Sequence, residues 1–242
     1  MIIIPAMDII DGKCVRLTQG DFSKKTLYAE DPTEMAKCFE DAGCTRLHLV
    51  DLDGAKAKHI VNHKVLESIA KHTQLQIDFG GGVKSDTDIT MAFDCGAQQI
   101  TAGSIAVSKP EKVKEWIRRY GAERIILGAD VKNGNIAVSG WQETTSLEVV
   151  AFVELYVQHG IQHVICTDIS KDGMLQGPAR LLYEKLSSAL PEIQLTASGG
   201  VSSLTDLRLL QQIGCSAAIV GKAIYEGSIT LSEVEKWNTD VN

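Results

Sequence analysis

The sequence predicts an α/β protein, a single (β/α)8 TIM barrel over residues 1–242 built from two repeated half-barrels. Three observations predict it. Eight short, nearly unbroken hydrophobic runs alternate with amphipathic segments of helical length, as parallel strands covered on both faces do. The length of 242 residues suits eight βα units. Landmarks of the first half also return, in order, in the second.

The strand runs are Ile2–Ile4, Leu47–Val50, Leu75–Ile77, Gln99–Thr101, Ile125–Leu127, Val164–Cys166, Ile193–Leu195 and Ala218–Val220. Between them, Thr33–Ala42, Ser85–Cys95 and Thr205–Ile213 show helical periodicity, each opening near a Ser, Thr or Asp cap. Gly43 and Gly214 stand where left-handed helix stops belong. An open doubly wound sheet would place a glycine fingerprint after its first strand. Here Pro5-Ala6-Met7-Asp8 follows instead.

The repeat is long. Gly81-Gly82-Val83 returns as Gly199-Gly200-Val201, and Gly103 returns as Gly221, both 118 residues on. Asp51 answers to Asp168 and Asp8 to Asp130. The halves, about 1–120 and 121–242, are expected to close on each other, because four parallel strands alone leave two bare edges.

Composition excludes several classes. Net charge is -7, from 24 Lys+Arg and 31 Asp+Glu, against a nucleic-acid footprint. No 18 apolar residues run together and the N-terminus lacks a signal-peptide pattern, so a cytoplasmic protein without membrane contact is expected. The six cysteines are scattered without a C-x-x-C pair and read as reduced, mostly buried thiols.

In a (β/α)8 barrel the C-terminal strand ends carry function. Asp8, Asp51, Asp130 and Asp168 fall at or just past such ends. So do the glycine clusters Gly80-Gly81-Gly82 and Ser198-Gly199-Gly200, with Gly103-Ser104 and Gly221-Lys222 after strands four and eight. Glycines there let backbone N–H groups approach an anion, or simply make tight turns. Two symmetric clusters favour two phosphate cradles and therefore a bisphosphate ligand. Neither a P-loop nor a dinucleotide fingerprint is present. Asp8 and Asp130 are placed to divide acid and base roles, or each caps a loop or pairs with a nearby Lys or Arg. A metal site from Asp8, Asp11, Asp51 and Asp53 is the weakest reading, since no histidine joins them, and no metal is expected. The pairs His59/His63 and His159/His163 read as surface or packing residues.

Pro5–Lys13 with Val15-Arg16-Leu17 and Gln19-Gly20-Asp21, Leu47–Ala55, Val138-Ser139-Gly140-Trp141 and Cys166–Leu175 resemble the histidine-biosynthesis isomerase family acting on phosphoribosylformimino-aminoimidazole carboxamide ribotide. The resemblance covers the whole chain. It implies a cofactor-free Amadori rearrangement of an aminoaldose to an aminoketose on a small-molecule bisphosphate, with Asp8 as base and Asp130 as acid. It also implies that Thr167 hydrogen-bonds the sugar, with Asp172, on the loop carrying Gly173, a rival for the acid role. Trp141, expected on a mobile loop, would stack over the substrate imidazole or else cover the rim. Arg16 would reach phosphate or form an ion pair, and Asp21–Asp31 reads as a lid. Lys84 and Lys222 stand where arginine is common, so the bidentate phosphate fork is missing there. The related cyclase subunit of imidazole-glycerol-phosphate synthase, a bifunctional isomerase also using phosphoribosyl anthranilate, and a catalytically silent sugar-phosphate barrel are the alternatives. A monomer is the plain expectation.

Overall fold

The computed structural model describes residues 1–18 and 20–241; Gln19, in the opening motif, lies outside the described residues. The barrel strands are β1 (Ile2–Ile10), β2 (Arg46–Asp51), β3 (Gln76–Gly80), β4 (Gln99–Ala102), β5 (Ile125–Lys132), β6 (His163–Asp168), β7 (Gln194–Ser198) and β8 (Ala217–Val220). Their hydrogen-bonded order is β6-β7-β8-β1-β2-β3-β4-β5, and β5 pairs back with β6. The eight strands therefore form a ring, the topology of a (β/α)8 barrel. The pairs β1–β2, β2–β3, β3–β4, β5–β6 and β6–β7 are parallel.

Residues 2–100 with 219–242 form one compact unit, and 101–218 with Met1 form another. In the first, Met7, Leu47, Leu49, Ile77 and Phe79 are buried together with the helix residues Phe39, Leu66 and Ile69. In the second, Ile126, Leu127, Trp116, Phe152, Tyr156 and Leu186 are buried. Each such side chain contributes about 1.5–3 kcal/mol by leaving water. This is why the strand runs lack polar alternation.

The helices open close to the expected caps. Asp31 accepts hydrogen bonds from the N–H groups of Thr33 and Glu34 at the start of Pro32–Asp41. Ser85 caps Asp86–Asp94. The helix after β7 spans Leu204–Ile213 and is capped by Ser203 in a reciprocal box with Asp206. Ser202 donates its own N–H and hydroxyl to Asp206 at 2.9 and 2.8 Å.

One strand is longer than its expected run, and the segments read as a lid and as the Trp141 loop are an outer ribbon strand and a tight turn. β1 continues through Pro5 to Ile10 and then turns at Asp11-Gly12 into an antiparallel ribbon, Lys13–Thr18 with Asp21–Ala29. The expected lid after β1 is thus the outer, largely exposed strand of that ribbon. Trp141 sits in the tight turn joining Asn135–Val138 to Glu143–Glu148, where Ser139, Gly140 and Trp141 all have positive φ (57°, 64° and 71°). The flanking strands pair antiparallel, Ala137 with Thr144 and Val138 with Glu143.

Among the described residues, no helix is long and apolar enough to cross a membrane. Cys14, Cys44, Cys166 and Cys215 are buried free thiols, Cys95 is half-buried and Cys38 exposed.

Candidate active site

In the unit that holds β1, Asp8 lies inside the strand and is 9% exposed. It pairs in register with Val50 of β2, which pairs with Gly80 of β3. The ribbon folds back antiparallel to β1, with Asp8 opposite Val15. That return brings Arg16 to Asp8, Nη1 donating to Oδ2 at 2.9 Å. Both side chains are only 12% exposed, so this is a charge-assisted bond largely removed from water. One layer below, Ala6 pairs with His48, and His48 with Asp78. His48 Nδ1 and Asp78 Oδ1 are 2.6 Å apart. Burial disfavours the imidazolium, but the Asp78 carboxylate and the more distant Asp8 favour it, and the pKa of His48 is raised above its ordinary value.

Asp51 has a different job. It is fully buried; Oδ1 accepts from Gly54 N–H and the Asn62 amide, and Oδ2 from the N–H groups of Val61 and Asn62. Asn62 also donates to Asp53, and Asp53 accepts from Asp11 N–H at 2.7 Å. This network ties the turn after β1 to the loop after β2. Among the described residues, no group of three His, Cys, Asp or Glu side chains is gathered as for a metal ion.

The other unit builds a polar row. Asp130 of β5 pairs in register with Thr167 of β6, and Thr167 with Ser198 of β7. In-register residues of parallel strands face the same side, so carboxylate and hydroxyls share one surface. Thr167, Asp172 and Ser198 are buried, and Asp130 is half-buried. Tyr183, from the helix Arg180–Ala189, donates to the Ser198 carbonyl at 2.7 Å and pins that strand end. Asp172 and Gly173 lie in the turns after β6, and Asp168 starts these turns by accepting from the N–H and hydroxyl of Ser170. The equivalent row in the first unit, Asp8–Val50–Gly80, has no hydroxyls.

The glycine clusters serve packing as well as any ligand. A Cβ on Gly81 would strike the Asp51 carbonyl oxygen, and one on Gly199 would lie 2.9 Å from the Asp168 carbonyl. Each unit thus seats the glycine after its third strand on the backbone of the aspartate that ends its second. The sequence repeat is a repeat of contacts. Gly82 and Gly200 are closed in the same way, by His59 and Gly177. Around Gly103 a side chain would meet open space, whereas a Cβ on Gly221 would lie 2.8 Å from Arg16 Cζ. Gly103 and Gly221 cap the short helices Ser104–Ser108 and Lys222–Tyr225, and Lys222 Nζ lies 3.7 Å from Glu226. Ser104 and Trp141 are half-buried.

The His48–Asp78 pair was not anticipated. Its signal was visible in the sequence as polar residues inside otherwise apolar strand runs, Leu47-His48-Leu49 and Ile77-Asp78-Phe79.

A (β/α)8 ring with polar side chains set on its strands, Asp8 beside Arg16 in one unit and Asp130 in line with Thr167 in the other, is the architecture of a barrel enzyme. Residues 2–230 match the model of the family described as histidine biosynthesis protein, and the chain belongs to that family. It is 57% identical over 236 residues, covering 98% of each chain, to a Cytophaga hutchinsonii protein named 1-(5-phosphoribosyl)-5-((5-phosphoribosylamino)methylideneamino)imidazole-4-carboxamide isomerase. Proteins of the same name from Flavobacterium psychrophilum and Bacteroides thetaiotaomicron are each 56% identical, covering 98% and 96% of this chain and 98% and 97% of their own.

Proposed function

We propose that this chain is the isomerase of histidine biosynthesis that converts the aminoaldose ProFAR to the aminoketose PRFAR. The observation that carries the reading is 57% identity over 98% of both chains with a relative of that name. The substrate bears a phosphate at each end, which suits the duplicated glycine clusters.

The reaction needs one acid and one base. Asp130 donates a proton to the furanose ring oxygen, and the C1′–O bond breaks to give a protonated imine. Asp8 then takes the C2′ proton, leaving an enolamine that tautomerises to the ketone, so the net change is isomerisation alone. Thr167, beside Asp130, supplies a hydroxyl for the reacting sugar. Asp172 is the second candidate acid. Arg16, Gly81, Gly82, Gly103, Ser104, Gly173, Ser198, Gly199, Gly200, Gly221 and Lys222 are assigned to substrate binding, and Trp141 to stacking over the imidazole. The half-barrels of about 1–120 and 121–242, a monomeric state and a cytoplasmic location complete the reading. No metal, cofactor, nucleic acid or membrane enters it.

The test is turnover of ProFAR by the purified protein with EDTA present, followed by the absorbance change of ring opening. Ammonia-dependent consumption of the ketose instead would favour the cyclase. Turnover of phosphoribosyl anthranilate would add the bifunctional activity. Binding of the bisphosphate with unchanged absorbance would leave a silent barrel.

A further inference from the structure

Arg16 has two contacts that one role as a phosphate ligand does not explain. Its Nη1 donates to Asp8 Oδ2 at 2.9 Å, and its guanidinium lies against the bare α-carbon of Gly221. A Cβ at Gly221 would sit 2.8 Å from Cζ and 3.0 Å from both Nε and Nη2. Any side chain at 221 would therefore push the guanidinium aside. The ribbon that carries Arg16 is fastened at the same place. Tyr28 stacks on Tyr225 at 4.5 Å and its hydroxyl donates to Glu226 at 3.3 Å. Tyr225 in turn donates to the carbonyl of Ala6, two residues before Asp8, at 2.9 Å, and meets Cys14 Sγ at 3.3 Å.

We propose that Arg16 is a positioning residue for Asp8, and that Gly221 is glycine in order to seat it. The proposal rests on Asp8 being the base of the isomerase. A base must arrive ionised and correctly turned. A cation bonded to one carboxylate oxygen favours the ionised form and limits rotation of the side chain. The ionisable groups around the pair are His48 and Asp78 on β2 and β3, Cys14 and Tyr28 on the ribbon, and Tyr225 and Glu226 on the C-terminal side. Cys14 and Tyr225 are pushed by burial above their ordinary values, Cys14 to about 11. Neither therefore carries charge near neutrality, whereas Arg16 is a cation bonded directly to Asp8.

The experiment compares wild type with Arg16→Lys, Arg16→Gln and Gly221→Ala. Titration of the Asp8 carboxyl is followed by carbon NMR of labelled aspartate, assigned with Asp8→Asn and read without substrate. The pH dependence of kcat/KM is measured alongside. Arg16→Gln and Gly221→Ala are expected to move both the Asp8 titration and the acid limb to higher pH. Activity on the acid side then falls about tenfold for each pH unit of displacement and recovers on the alkaline side. Arg16→Lys keeps most of the wild-type profile. A variant that loses the same factor at every pH, with Asp8 titrating as in wild type, overturns the proposal. If the variants show the titration shifts but wild type does not turn over ProFAR, the isomerase reading fails, and what stands is that Arg16, seated on Gly221, holds Asp8 ionised.

Discussion

Thr167 stands directly beside Asp130, in register on the neighbouring parallel strand, with Ser198 next in line. The row places a hydroxyl where a sugar held against Asp130 would present its own. Thr167→Val keeps the shape and removes the donor. It is expected to lower kcat by about tenfold or more while leaving the melting temperature within a few degrees, since one hydrogen bond is worth about 1 kcal/mol. Steady-state kinetics beside a thermal melt separate the two effects.

Asp8→Asn and Asp130→Asn are expected to cut kcat by about 100- to 10,000-fold, the range for losing one positioned acid or base. Substrate affinity should change much less. Calorimetric binding of the ketose product to each variant provides the check. Near-normal turnover by Asp8→Asn would overturn the base assignment.

Asp172 is buried in the turns after β6, 9% exposed, whereas Asp130 is half-buried. The acid is expected to be the residue whose amide variant abolishes the alkaline limb of the pH–rate profile. Comparing Asp172→Asn with Asp130→Asn decides between them, with Asp130 the expected answer.

Gly81 has φ +88° and Gly199 φ +94°, and each is backed by a main-chain carbonyl. Alanine at either adopts a left-handed backbone at a cost of about 1–2 kcal/mol and collides as well. Both variants are expected to lose at least about 2 kcal/mol of stability in urea unfolding. If instead they unfold like wild type and lose only phosphate affinity, the packing account of these glycines is wrong.

The His48–Asp78 pair predicts a pH dependence of stability. The pKa of His48 is raised in the folded state, so its contribution is fully present below the unfolded value of about 6.5 and is lost as pH rises through the folded one. Wild type is expected to lose stability across that interval relative to His48→Gln. Urea midpoints of the two proteins measured from about pH 5 to 9 test the sign.

Much of this molecule was legible in its sequence. The eight apolar runs had to be strands buried on both faces, because no other short element tolerates such continuous hydrophobicity at that spacing. The repeat of Gly81 and Asp51 as Gly199 and Asp168 pointed to two copies of one supersecondary plan. The run Ile125–Leu127 located the strand that holds Asp130, but Asp130 lies inside it, since the strand continues to Lys132. Local signals also located the helix caps to within a residue or two, since a cap depends only on neighbours along the chain.

What remained for the tertiary structure were relationships between residues distant in sequence. That Asp51 is spent on four hydrogen bonds within its own loops, that Arg16 returns to Asp8 while resting on Gly221, and that His48 meets Asp78 all depend on which strands lie side by side. A strand run specifies its own burial but not its register against a partner, and a glycine specifies freedom but not whether a ligand or a carbonyl fills the space. Pairing and close packing settle both, because they are properties of chain segments meeting in space rather than of any one segment.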